Sequence, residues 1–165
     1  MKRRTFMLSG AAVAALGGIY ALKPSSSPAV AGEGDFEITY SEAEWRSMLT
    51  PDQYAVLREE ATERPYTSSL LHEKRKGTFN CAGCNLPLYA SETKYDSGTG
   101  WPSFYDALPD AVGTKRDFKL IVPRTEVHCR RCGGHLGHVF SDGPPPTGLR
   151  HCINGIALVF EPQSA

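Results

Sequence analysis

Apolar residues fall along the chain in three textures. From Phe6 to Leu22 they run almost unbroken, diluted by glycines and alanines. Between Ser41 and Ala61 they are spaced among polar residues, with Trp45, Met48, Leu49, Tyr54 and Leu57 available for packing. Ser41 with Glu44, and Thr50 with Gln53, have the spacing of capping boxes, and Pro51 sits where a first helical turn needs no N–H. Two short helices are predicted, over about 42–48 and 51–61, and Pro65 ends the helical region. Beyond it the apolar runs shorten to Thr78–Phe79, Leu86–Tyr89, Phe118–Val122, His138–Phe140 and Ile153–Phe160, with Gly or Pro recurring between them. Short runs punctuated by turn residues predict a mainly β, antiparallel domain. The Pro144–Pro146 stretch reads as a rigid turn into the last strand.

The first texture is an address rather than a fold element. Lys2-Arg3-Arg4 precedes the apolar stretch and Ala29-Val30-Ala31 offers a cleavage site, the build of a secretory signal. The paired arginines before Thr5-Phe6-Met7-Leu8 resemble a twin-arginine export signal. Residues 1–31 are therefore expected to be removed, leaving a domain over 32–165 that acts in the periplasm or otherwise outside the cytoplasm. It would meet the membrane only in transit; an uncleaved anchor is the alternative. The chain of 165 residues is 41% hydrophobic and 22% charged, enough for one modest core. Its 18 basic and 18 acidic residues cancel, but four of the basic ones precede Glu33, so the remainder is net acidic. No basic stripe runs through that remainder, which argues against a nucleic-acid partner. Lys74-Arg75-Lys76 reads as a solvated loop.

Five cysteines divide into four plus one. Cys81/Cys84 and Cys129/Cys132 form two CxxC knuckles 44 residues apart. Glycines at 83, 133 and 134 are expected to turn the backbone so that four thiolates meet one zinc ion, one per chain, in a closed structural site. Two disulfides, or one redox-active CxxC, are the alternatives. Zinc binding of about 10–16 kcal/mol rivals the whole stability of a domain, about 5–15 kcal/mol, and a small core has reason to use it. Cys152 is left over. If Arg150–Phe160 is a strand, Arg150, Cys152 and Asn154 share a face, and the guanidinium is expected to lower the Cys152 pKa.

Gly100-Trp101-Pro102-Ser103-Phe104, Gly134-His135-Leu136-Gly137-His138-Val139-Phe140 and Arg150-His151-Cys152-Ile153-Asn154 follow one another between and after the knuckles. This ordered set resembles the B-type methionine sulfoxide reductases, which act on the R epimer, over about residues 36–161. The resemblance implies two antiparallel β-sheets with short N-terminal helices, zinc on the four knuckle cysteines, and Cys152 as nucleophile. It implies that His135 and His138 bind and protonate the sulfoxide oxygen, with Arg150 and Asn154 at active-site positions. Trp101 would shape a pocket for the sulfoxide methyl group, with Phe140 and Asp142 as further binding or supporting positions. The implied partners are oxidised proteins carrying methionine-R-sulfoxide and a thiol reductant; a monomer is expected, although the sequence leaves the oligomeric state open.

Two departures stand out. Many relatives carry a cysteine just before the tryptophan motif that resolves the sulfenic acid; here Thr99 occupies that segment, so an external, thioredoxin-like thiol is expected to regenerate Cys152. His151, where relatives commonly place an aromatic residue, is expected to face away from Cys152. Two other readings stay open at this point: a non-catalytic zinc-ribbon interaction module with Cys152 buried, and a thiol–disulfide oxidoreductase using a CxxC pair.

Overall fold

Ser41 and Thr50 open the two helices as their spacing predicts. In the computed structural model, which describes residues 36–164, α1 spans Glu42–Met48 and α2 spans Pro51–Glu59. The Ser41 N–H donates to the Glu44 carboxylate at 2.8 Å, and the Gln53 N–H donates to the Thr50 hydroxyl at 3.2 Å. α2 stops two residues short of the expected end because Glu60 turns left-handed, φ 56°. Trp45, Leu49, Tyr54 and Leu57 are buried as anticipated, but Met48 is exposed. The expected export segment, residues 1–31, lies outside the described residues.

Nine strands follow: β1 Gly77–Cys81, β2 Pro87–Ala90, β3 Lys94–Tyr95, β4 Ser103–Phe104, β5 Val112–Asp117, β6 Arg124–Cys129, β7 His135–Phe140, β8 Arg150–Ile153 and β9 Leu158–Pro162. They form two antiparallel sheets, one ordered β2-β1-β9 and one ordered β3-β4-β8-β7-β6-β5. The mainly β architecture with short helices is as expected. Phe79 of β1, Tyr89 of β2 and Phe104 of β4 join the two sheets. The ring centroids of Tyr89 and Phe104 are 4.3 Å apart and stacked, and those of Phe79 and Phe104 are 5.0 Å apart. All three are fully buried, in the offset or edge-on contacts that aromatic quadrupoles favour.

Two strand expectations are corrected. Phe118–Val122 is not a strand but the turn joining β5 to β6. The strands themselves are polar, and β6 buries Glu126 and His128 where apolar residues normally signal a sheet. Ile153–Phe160 is not one run: a 3-10 turn at Gly155–Ala157 breaks it, so β8 joins the large sheet and β9 the small one. A Cβ on Gly155 would fall 1.8 Å from the Ser68 hydroxyl, so the chain crosses between sheets where only glycine fits.

The knuckles lie where the sheets meet, Cys81 ending β1 and Cys129 ending β6. They are built alike. Asn85 N–H donates to Cys81 O at 2.8 Å, Gly133 N–H to Cys129 O at 2.9 Å, and the residue after each second cysteine is left-handed, φ 58° at Asn85 and 68° at Gly133. Of the three glycines expected to permit the turn, only Gly133 has that backbone. Gly134 instead makes room for Leu57 of α2, whose side chain a Cβ there would meet at 2.9 Å, whereas a Cβ on Gly83 would meet Trp45 and Leu57 only at ordinary contact distances of 3.5 and 3.6 Å.

Candidate active site

β8 lies between β4 and β7, and the register sets Cys152 opposite Ser103 on one side and opposite His138 on the other. Directly opposed residues share a sheet face, so the thiol and the His138 imidazole project together. Gly137 permits the close pairing: a Cβ there would come within 2.1 Å of the Cys152 carbonyl. Above this face opens a cavity of about 130 Å³. Cys152, His138, Trp101 and Phe140 line it, as do Asn154, Gly137, Thr62 and Arg124. A larger groove of about 730 Å³ between α2, residues 61–70 and β9 contains neither cysteine nor histidine.

Each imidazole is held by a carboxylate, and each carboxylate by a cation. His138 Nε2 is 2.7 Å from Asp117 Oδ2, which also accepts from Arg124 at 2.7 Å, while Asp117 Oδ1 accepts from the Lys119 N–H at 2.9 Å. The N–H bonds, foremost that of Lys119, hold the Asp117 carboxyl well below its ordinary range, so it accepts and His138 donates through Nε2. That leaves Nδ1 as the nitrogen able to carry a transferable proton. Burial pushes the His138 pKa down, although Asp117 opposes it. His135 Nδ1 is likewise 2.7 Å from Glu126 Oε1, both side chains 3% exposed, and Lys115 pairs with Glu126 Oε2 at 3.2 Å. Burial raises the Glu126 pKa, but His135 and Lys115 together outweigh it and the net shift is downward. The two rings stand edge to face, centroids 5.5 Å apart. Asp117, Arg124, Glu126 and Lys115 were not among the residues expected at the site.

Arg150 and Asn154 serve Cys152 less directly than their spacing suggested. Arg150 makes a bidentate ion pair with Asp142 at 2.8 and 2.9 Å and lies 4.4 Å above the Phe140 ring. Asp142 is itself exposed and outside the cavity lining, gripping Arg150 from the rim. The Cys152 pKa departs from expectation. Burial pushes it up, and this outweighs the Thr99 hydroxyl and the Arg150 charge, both of which pull it down. Asn154 lines the cavity but commits its amide to main chain, accepting from Glu63 N–H and donating to Leu136 O, both at 3.0 Å. With the Trp101 indole N–H donated to Glu63 O at 3.0 Å, it fixes the 62–63 segment as a cavity wall. Thr99 approaches the thiol, Oγ1 to Sγ 3.9 Å, and continues through Ser97 to Ser103 at 2.8 and 2.7 Å. His151 faces the opposite way, buried against Tyr89 with Nδ1 3.2 Å from its hydroxyl, as expected.

The four knuckle sulfurs lie within 4.8 Å of one another. Cys81 and Cys132 are 3.7 Å apart and Cys84 and Cys129 3.5 Å apart. The edge of a tetrahedron with metal–sulfur bonds of about 2.3 Å is about 3.8 Å, whereas a disulfide bond is about 2.05 Å. The donor set therefore fits a metal ion bound by four thiolates. Cys152 stands apart from this cluster.

Comparison with known proteins agrees with this arrangement. Residues 49–162 match the SelR domain. The chain is 54% identical over 127 residues to the peptide methionine sulfoxide reductase MsrB of Agrobacterium fabrum, covering 76% of this chain and 94% of that one. It is 53% identical over 135 residues to the protein of the same name from Leifsonia xyli, 81% and 97% of the two chains. With that of Pseudomonas putida it shares 56% identity over 121 residues, 73% and 91%. A cysteine in a small apolar cavity, two carboxylate-held imidazoles and a four-cysteine cluster thus coincide with the extent of the SelR match, and the chain belongs to the SelR-domain family of B-type methionine sulfoxide reductases.

Proposed function

We propose that this chain reduces methionine-R-sulfoxide in oxidised proteins, with Cys152 as nucleophile and His138 as proton donor. The observation that carries the reading is the register placing Cys152 opposite His138 at a cavity walled by Trp101 and Phe140. The Cys152 thiolate attacks the sulfoxide sulfur while His138 Nδ1 delivers a proton to the oxygen. In the S–S-bonded adduct so formed the oxygen passes to the Cys152 sulfur as the S–S bond and the substrate S–O bond break, so that methionine leaves and Cys152 is left as sulfenic acid. One external thiol displaces that oxygen as water, forming a mixed disulfide, and a second restores Cys152. Thr99 in place of a second thiol favours this route, with a thioredoxin-like protein as donor. Trp101 and Phe140 hold the methyl end, and His135, buried outside the cavity lining and packed edge to face on the His138 ring, assists by positioning that ring.

Thiol and imidazole share one proton in the reactive pair. With ordinary pKa values of about 8.5 and 6.5, the thiolate–imidazolium form is about 1% of the singly protonated pair. Burial pushes Cys152 up and His138 down, so the resting form is thiol plus neutral imidazole and the reactive form is scarcer still. Even with Cys152 lowered to about 7, the gain would be only about three- to four-fold, because nucleophilicity falls with basicity. General acid catalysis supplies about 10²–10⁴-fold. Proton delivery therefore outweighs thiol tuning.

One structural zinc ion per chain, bound by Cys81, Cys84, Cys129 and Cys132, would clamp the two sheets at the knuckles and take no part in the reaction. The N-terminal pattern supports twin-arginine export and repair outside the cytoplasm. Among the described residues no helix is long and apolar enough to cross a membrane. Turnover of each sulfoxide epimer within a peptide, with zinc quantified in the same preparation, tests the reading. The wild type should consume only the R epimer and carry one zinc, and Cys152→Ser should consume neither. Residual turnover by Cys152→Ser, or equal use of both epimers, would overturn it.

A further inference from the structure

The sequence between Asp117 and Arg124 puts apolar side chains where water is. Phe118, Leu120, Ile121 and Val122 are 70%, 57%, 103% and 72% exposed. Scattered exposed leucines need no explanation, but contiguous apolar side chains on one loop usually mark a contact surface. The loop is closed by the pairing of Asp117 with Arg124 across the β5–β6 ladder. Those two residues reach the catalytic cavity, Arg124 as part of its lining and Asp117 as the partner of His138. The apolar tip thus begins at the cavity wall and projects from it into solvent.

We propose that the 118–122 tip is a docking shelf for the apolar stretch of polypeptide flanking a methionine sulfoxide whose side chain occupies the cavity. This rests on the reading of the cavity given above and adds the surface by which a protein substrate is held. Charge favours polypeptide over bilayer. Surface-binding elements seat apolar residues among several free lysines and arginines, whereas here Lys115 and Lys119 are paired with Glu60 and Arg124 with Asp117, which leaves Arg116, set over the Phe118 ring, as the one cation of this hairpin without a carboxylate partner among the described residues. The position of the tip points the same way: it leads off the wall of the cavity that would take the methionine side chain, so the polypeptide on one side of that methionine has to pass it.

The double substitution Leu120→Ser/Ile121→Ser tests the proposal on three substrates: a peptide with Leu and Val flanking methionine-R-sulfoxide, one with Gly and Ser there, and N-acetyl-methionine-R-sulfoxide amide. We expect kcat/KM on the first to fall about 10-fold or more, the effect of withdrawing one well-buried aliphatic contact, with the other two unchanged. Equal rates for variant and wild type on all three would overturn the proposal. So would a uniform loss, which would show that the tip only supports Asp117. Binding of wild type, but not variant, to vesicles of equal phosphatidylglycerol and phosphatidylcholine, with peptide kinetics unaltered, would assign the tip to a membrane and overturn it too. The single variant Ile121→Ser repeats the comparison if the double variant misfolds. Absence of wild-type turnover on every substrate would instead refute the proposed function, a separate outcome.

Discussion

Replacing Asp117 by asparagine should lower kcat/KM for a methionine-R-sulfoxide peptide by about one to two orders of magnitude. Asp117 Oδ1 accepts from the fixed Lys119 N–H, and Oδ2 is shared by Arg124 and His138. An asparagine that keeps its oxygen on the Lys119 N–H turns its NH₂ toward two donors. The Arg124 charge then faces the His138 ring without compensation, and the charge-assisted bond to the imidazolium is gone. Bonds of that type contribute about 1.5–3 kcal/mol, which at 1.36 kcal/mol per decade is about 10- to 150-fold. The sign of the pH effect follows. With His138 pushed further down, the acidic limb of the kcat/KM profile moves to lower pH while the plateau falls, because the thiolate–imidazolium form becomes rarer. The measurement is kcat/KM against pH with excess dithiothreitol, with circular dichroism as a check on folding. An unchanged plateau, or an acidic limb displaced upward, would refute the role assigned to the Asp117–His138 pair.

Acid sensitivity should trace in part to His151. Burial lowers its pKa to about 4 in the folded chain, against about 6.5 unfolded. As pH falls the unfolded chain takes up the proton first, so stability is lost from about pH 6.5 down to about pH 4, by roughly 3 kcal/mol in all. His151→Phe should flatten urea-unfolding stability across that window; an unaltered slope would contradict the assignment. Thr99→Cys should change the recycling route, since Thr99 Oγ1 lies 3.9 Å from Cys152 Sγ. After one turnover without reductant, mass spectrometry should find a disulfide between positions 99 and 152. Persistence of a dimedone-reactive sulfenic acid would show that the segment cannot close.

The helices were legible because their boundaries are local. Ser41/Glu44 and Thr50/Gln53 satisfy end groups within one turn, and nothing distant alters that. The zinc-type cluster was legible for a similar reason, each CxxC being a self-contained turn, although the left-handed Asn85 standing in for a glycine was not foreseen. Cys152 and its neighbours could be placed on a strand, but the expected lowering of its pKa has the wrong sign. Alternation shows that Arg150 is near, not that Asp142 occupies it or that burial outweighs it. The supports of the imidazoles escaped notice because they come from β5 and β6, which bury the polar Asp117, Glu126 and His128 alongside Val127 and Cys129. Asp117 is 21 residues from His138 in sequence, and only the ladder brings them together. Phe118–Val122 misled in the opposite sense: an apolar run normally signals a strand, and here it is a solvent-facing turn.

The depth at which Cys152 sits bears on how a repair enzyme survives the conditions that create its workload. Hydrogen peroxide attacks thiolates, not thiols, and the burial that holds Cys152 protonated between turnovers makes the idle catalyst a poor target. Its sulfur should be consumed by peroxide at neutral pH more slowly than that of free cysteine, as loss of iodoacetamide labelling would reveal; faster loss would mean the site has no such shelter. On the proposed mechanism, reactivity would thus be drawn out by a bound sulfoxide and withheld from passing oxidants.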